Sequence, residues 1–142
     1  MNIKVTITKK FEFSASHRYW RDDWSEEKNN EEFGLCVSPH GHGHNYELFV
    51  TVSGRIDSHT GMIINLSDLK QLVNKILVNF DHKFLNLDTP YFKDKIPTTE
   101  NIALVLYNLI QEKLKPMENN MKLAKIRLYE RFDIYSEVWG ES

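Results

Sequence analysis

The stretch that decides the fold is residues 42–52, His42-Gly43-His44-Asn45-Tyr46-Glu47-Leu48-Phe49-Val50-Thr51-Val52. From His44 onward, His44, Tyr46, Leu48, Val50 and Val52 alternate with Asn45, Glu47, Phe49 and Thr51. A period of two is the mark of a strand with one face turned to a core. His42 and His44, two residues apart, point to the same side of that strand. One face of one strand therefore offers two imidazoles at its start and core residues farther on.

Immediately upstream stands Cys36-Val37-Ser38-Pro39-His40-Gly41, so the only cysteine and half of the six histidines fall within residues 36–44. A second alternating run precedes it over residues 3–17. There Phe11, Phe13, Ala15 and His17 share one parity, against Lys10, Glu12, Ser14 and Ser16. The charged segment 18–35 reads as a surface loop with one helical turn at most, either simply solvated or a flap over a site.

Downstream, a turn at Asp57-Ser58-His59-Thr60-Gly61 leads to Met62-Ile63-Ile64, read as a short strand that pairs back in a hairpin. Ser67 and Asp68 can cap a helix whose apolar residues Leu69, Leu72, Val73, Ile76, Leu77 and Phe80 recur at helical spacing. After a loop over 81–97, Thr98-Thr99-Glu100 opens a second amphipathic helix carrying Ile102, Val105, Leu106, Leu109, Ile110 and Leu114. Two alternating runs, about 121–131 and 133–139, close the chain. The order predicts an α+β domain over 1–142: a small antiparallel sheet with two helices on one face.

Composition narrows the function classes. An apolar fraction of 41% and a charged fraction of 27% are those of a soluble globular domain. No apolar stretch reaches membrane-span length, and the chain opens on a strand-like Met1-Asn2-Ile3-Lys4-Val5 rather than a signal peptide. A single cysteine forms no internal disulfide, so a cytoplasmic location and a free thiol are expected. A net charge of −2 without a basic stripe argues against nucleic acid.

A catalytic zinc site typically takes three protein ligands and keeps a fourth position open. His42 and His44 supply two, and His17, at the end of an apolar strand face, is the best third; alone it would more often be a hydrogen-bonded core histidine, and the company of His42 and His44 tips the reading toward a ligand. His40 competes by position, and His59 lies in a polar turn. Glu130 shares parity with Ile126 and Leu128, so it is either a carboxylate that needs partners on a buried face or a residue past the strand's end. Cys36 is either a small buried hydrophobe or a nucleophile or base beside the histidines.

The motifs Phe11-Glu12-Phe13-Ser14-Ala15-Ser16-His17-Arg18, Cys-x5-His-Gly-His-Asn-Tyr, Gly61-Met62-Ile63-Ile64-Asn65-Leu66, Asp81-His82-Lys83-Phe84-Leu85-Asn86, Pro97-Thr98-Thr99-Glu100-Asn101 and Leu128-Tyr129-Glu130 occur in order. Together they resemble the 6-pyruvoyl-tetrahydropterin synthase family, which includes the 6-carboxytetrahydropterin synthases. The resemblance implies a tunnelling-type fold whose trimers close into barrels and stack into hexamers, with active sites between subunits. It implies Zn2+ held by His17, His42 and His44, with His40 where members vary.

The resemblance further implies a catalytic set of Cys36, Asp81 and His82. It makes Glu130 the pterin anchor, with Thr98, Thr99 and Glu100 lining the pterin pocket. Thr98 also reads as an ordinary helix cap, and His82 as a histidine near a helix C-terminus. The implied substrate is 7,8-dihydroneopterin triphosphate. The expected product is 6-pyruvoyl-tetrahydropterin, on the route to tetrahydrobiopterin. The alternative is 6-carboxytetrahydropterin with release of acetaldehyde, on the route to queuosine and other deazapurines. Cys-x5-His-Gly-His favours the first; counted to His40, the same run contains the shorter Cys-x3-His-Gly-His of many carboxy-type enzymes. A zinc- and pterin-binding protein without turnover is the remote alternative.

Overall fold

A computed structural model describes residues 3–117 and 120–140. Met1 and Asn2, read above as part of the first strand, lie outside the described residues. In chain order the elements are β1 (Val5–His17), α1 (Glu26–Phe33), β2 (His42–Gly54), α2 (Leu66–Leu77), β3 (Lys83–Phe84), α3 (Leu85–Asp88), α4 (Thr99–Leu114), β4 (Met121–Arg131) and β5 (Ile134–Trp139). The strands form one sheet in the order β3-β1-β2-β4-β5. All pairings are antiparallel except β3, a two-residue edge strand parallel to β1.

The expected pattern of faces is the observed one. Phe11, Phe13, Ala15 and His17 of β1 and Tyr46, Leu48, Val50 and Val52 of β2 are buried. The apolar ones among them pack against Leu69, Val73, Ile76 and Leu77 of α2 and Ile102, Leu106, Ile110 and Leu114 of α4. The direct pairing of Phe13 with Tyr46, Ala15 with His44 and His17 with His42 places the ends of both apolar faces side by side.

Two irregularities interrupt β4, one at Ala124 on the β2 side and one at Glu130 on the β5 side. Val52 pairs with Leu123 and Thr51 with Lys125, leaving Ala124 unmatched in a β-bulge. Beyond it Ile126 and Leu128 face the core, as Leu123 does before it.

Three local expectations need revision. Met62-Ile63-Ile64 is not a strand, because both edges of β2 are already taken by β1 and β4. Instead the Asp57 amide donates to the Met62 carbonyl (3.0 Å), and Asp57 Oδ1 accepts from the His59 and Thr60 amides (2.7 and 3.0 Å), closing the turn on itself. Ile64 still plugs the core at 7% exposure. The cap of α2 is Asn65, whose side chain accepts from the Ser67 amide, rather than Ser67 or Asp68. Segment 18–35 holds a full two-turn helix, α1, capped by Ser25.

Candidate metal centre and active site

His17 closes β1, and His42 opens β2 directly opposite it. One ligand atom from each of His17, His42 and His44 lies within 4.8 Å of the others, which makes them a group able to hold a metal ion. Gly41 makes this approach possible. Its φ is +68°, and a Cβ there would meet the His17 carbonyl oxygen at 2.8 Å and the Phe84 ring at 2.9 Å.

The tautomer of His17 is fixed by Nδ1, which donates to the Pro97 carbonyl at 2.6 Å. Its Nε2 is thereby left as a bare lone pair, the arrangement a metal ligand needs. Burial holds the His17 and His44 imidazoles below their usual pKa, although Glu130 pulls both the other way. Nε2 of each is buried without a hydrogen-bond partner. Orphaned buried acceptors of this kind are rare unless an ion or water serves them. The donor set, three neutral imidazoles, fits a borderline-soft divalent cation such as zinc. His40, by contrast, is exposed and stands outside the group, so the relevant spacing is Cys-x5-His-Gly-His.

Glu130 does face inward, with only 13% of its side chain exposed. Its Oε1 stands 3.4 Å from His17 Nε2 and 3.6 Å from His44 Nε2. The thiol of Cys36, in the turn before β2, is partly buried. Burial first, and then the negative charge of Glu130, push it above its ordinary pKa. Its turn is tied down by the Tyr19 amide donating to the Cys36 carbonyl (2.8 Å) and by Arg18 Nη2 donating to the Val37 carbonyl (2.7 Å). Tyr19 packs edge-on against His17 (5.4 Å) and against Phe33 of α1 (5.7 Å), which links segment 18–35 to the histidines.

Asp81 and His82 are not brought to this cluster within the chain. They flank the free edge of β1: the Ser14 amide donates to Asp81 Oδ1 (2.8 Å), and the His82 amide donates to the Ser14 carbonyl (2.6 Å). His82 then lines a groove with Ser14, Ser16 and Asn45, on the sheet face turned away from the core, with Lys83 of β3 and with His44, whose side chain belongs to the histidine group. The His82 side chain is 81% exposed, with Nδ1 3.0 Å from Asp81 Oδ2. His82 is also the one non-glycine residue with positive φ (61°) among the described residues, a conformation that costs energy and often marks function.

Backbone donation by Ser14, and then contact with His82, hold the Asp81 carboxyl below the usual carboxylate range. Its contribution to stability is therefore complete above about pH 4 and is lost as pH falls through the lowered native value. Asp81→Asn is expected to flatten acid unfolding below about pH 4. An unchanged acid limb in a denaturant titration series would show that this hydrogen-bonded carboxylate is not coupled to folding.

At the N-terminus of α4, Thr98 Oγ1 accepts from the Asn101 amide (3.1 Å), Thr99 is buried, and Glu100 is exposed. The Pro97 carbonyl beside them is the one His17 binds, so this segment and the histidines form one unit.

Comparison with known proteins identifies the family. The sequence model of the family described as 6-pyruvoyl tetrahydropterin synthase matches residues 6–141. The chain belongs to that family. It is 43% identical to the human 6-pyruvoyl tetrahydrobiopterin synthase over 128 residues, 89% of this chain and 86% of that protein. To the 6-carboxy-5,6,7,8-tetrahydropterin synthase of Bacillus subtilis it is 34% identical over 99 residues, 68% of this chain and 64% of that one. Its fold matches the Caenorhabditis elegans 6-pyruvoyl tetrahydropterin synthase structure with a TM-score of 0.90 at 31% identity, covering 98% and 97% of the two chains.

Of the residues expected from the pterin synthase resemblance, one chain gathers His17, His42, His44 and Glu130, with Cys36 close enough to feel the charge of Glu130. Sequence reasoning missed Tyr19, Tyr46, the Arg18 anchor and the Pro97 carbonyl. Only Tyr46 carried a signal, since it shares the parity of His42 and His44.

Proposed function

We propose that the chain is a zinc-dependent lyase that converts 7,8-dihydroneopterin triphosphate to 6-pyruvoyl-tetrahydropterin with loss of triphosphate. The observation that carries this reading is the triad of imidazoles, two with orphaned Nε2 atoms, beside a thiol and an inward-facing carboxylate. Zinc held by His17, His42 and His44 would supply Lewis acidity to the substrate's side-chain oxygens, making the adjacent C–H acidic.

The protein's own groups divide the remaining work. Glu130 accepts the ring N–H and exocyclic amine of the pterin, a pair of donors that suits a carboxylate. Thr98, Thr99 and Glu100 form the adjoining wall. Cys36, after passing its own proton to His82, takes the side-chain proton as the thiolate, and His82, oriented by Asp81, carries the proton onward. Since Asp81–His82 and the histidine cluster lie apart in one chain, the site is completed by the partner subunit's His82 in a trimer that stacks to a hexamer. Leu35, beside Cys36, is 96% exposed and Leu87 80%, which suits a contact between copies. None of the helices in the described residues is long and apolar enough to cross a membrane, and we place the enzyme in the cytoplasm.

The pyruvoyl product is favoured by the Cys-x5-His-Gly-His spacing and by the longer, closer match to pyruvoyl-type relatives. Incubation of purified enzyme with dihydroneopterin triphosphate is expected to release triphosphate without acetaldehyde. Stoichiometric acetaldehyde would reassign the chain to 6-carboxytetrahydropterin synthesis.

A further inference from the structure

Tyr46 is wholly buried, yet its hydroxyl has no hydrogen-bond partner. The ring alone is well accommodated: it stacks on Phe13 at 4.9 Å and meets His44 edge-on at 5.7 Å and His17 at 6.3 Å. Phenylalanine would fill that space without stranding a donor, and an unsatisfied buried hydroxyl is costly. The oxygen therefore needs a partner that the ligand-free chain does not supply.

Two shared neighbours identify the partner. Glu130 Oε1 lies 3.4 Å from His17 Nε2 and 3.6 Å from His44 Nε2, the same two imidazoles that the Tyr46 ring meets, and the β2–β4 ladder runs as far as the Glu47–Tyr129 pair next to both residues. The electrostatic neighbours of the Tyr46 hydroxyl are Glu130 and Tyr19. Glu130, meanwhile, is turned toward His17 Nε2, which has no proton to give because Nδ1 holds it against Pro97. A carboxylate facing a bare lone pair gains no hydrogen bond. Of the four buried unsatisfied side-chain atoms among the described residues, three (His17 Nε2, His44 Nε2 and Tyr46 Oη) belong to this one cluster.

We propose that Tyr46 is a positioning residue: its phenol O–H donates to the Glu130 carboxylate once the histidine nitrogens are taken up by metal, and holds that carboxylate in the direction that receives the pterin. This rests on the reading of Glu130 as the pterin anchor. A single rearrangement of Glu130 would then satisfy the hydroxyl and free the imidazole lone pairs. Tyr46 touches neither substrate nor reacting atoms; it acts through Glu130.

The test uses the zinc-loaded enzyme with neopterin as an unreactive probe, read by its fluorescence, together with steady-state kinetics and metal analysis. Tyr46→Phe is expected to keep its zinc and thermal midpoint and to weaken neopterin binding by about tenfold or more, the worth of a hydrogen bond to a charged group. KM should rise more than kcat falls. In a Glu130→Gln background the same substitution should change binding little, because the carboxylate it positions is gone. An equal loss in both backgrounds, a loss of zinc, or unchanged binding in Tyr46→Phe while Glu130→Gln binds weakly would each overturn the proposal. Should Glu130→Gln itself bind neopterin normally, the pterin-anchor reading fails first, and the role of Tyr46 with it.

Discussion

Cys36→Ala is expected to retain zinc and the fold while turnover falls by about 10²–10⁴-fold, the range lost when a positioned acid or base is removed. The expectation follows from where the thiol sits. It lies outside the group formed by His17, His42 and His44, so the metal does not depend on it. Its turn is held through the main-chain carbonyls of Cys36 and Val37, bonded by Tyr19 and Arg18, and both bonds survive loss of the side chain. What the substitution removes is one proton-handling sulfur. Metal content by elemental analysis and turnover by triphosphate release are the two measurements. A Cys36→Ala protein that arrives without zinc would make the thiol a fourth ligand, closing the site as in a structural zinc centre.

Chelation is expected to abolish turnover and leave the chain folded. The imidazoles occupy one end of the sheet, the last residue of β1 and the first turn of β2. The core between the sheet and helices α2 and α4, from Phe11 to Leu128, does not pass through them. Metal loss removes ligand-linked stabilisation of about 3 kcal/mol at hundredfold saturation, which lowers the thermal midpoint by roughly ten degrees. Circular dichroism before and after chelation, with zinc added back, provides the readout. Collapse of the secondary structure on chelation would mean that the ion builds the fold, contrary to the catalytic reading.

Much of this molecule was readable from period and spacing. The alternation that begins at His44 places Tyr46, Leu48 and Val50 on the buried face, and His17 falls on the matching face of β1. For Glu130 parity leaves two readings open, and the resemblance to the pterin synthases chooses the inward-facing one, which the 13% exposure of its side chain matches. Met62-Ile63-Ile64 was misread because a three-residue apolar run carries no period, and only the sheet order shows that β2 has no edge to offer it. The separation of Asp81–His82 from Cys36 was hidden for another reason. Sequence places residues along a strand, but which face and which subunit they serve is a tertiary fact. The Pro97 carbonyl and the Arg18 anchor were invisible, because main-chain acceptors have no signature in residue identity.

The bulge at Ala124 has a consequence for how the gene can drift. It works like a frameshift within a strand: one unmatched residue moves every later side chain in β4 to the other side of the sheet. Ile126 and Leu128 take their inward orientation from that frame, and Glu130, six residues downstream at a second irregularity against β5, follows them. Insertions in the self-closed turn after β2 can accumulate at little cost. A codon gained or lost before Ile126 would turn Ile126 and Leu128 out of the core together with the carboxylate, whereas one between Leu128 and Glu130 would turn the carboxylate outward and leave the core side chains in place. A well-folded descendant could thus lose its chemistry through length alone, with every active-site letter still present.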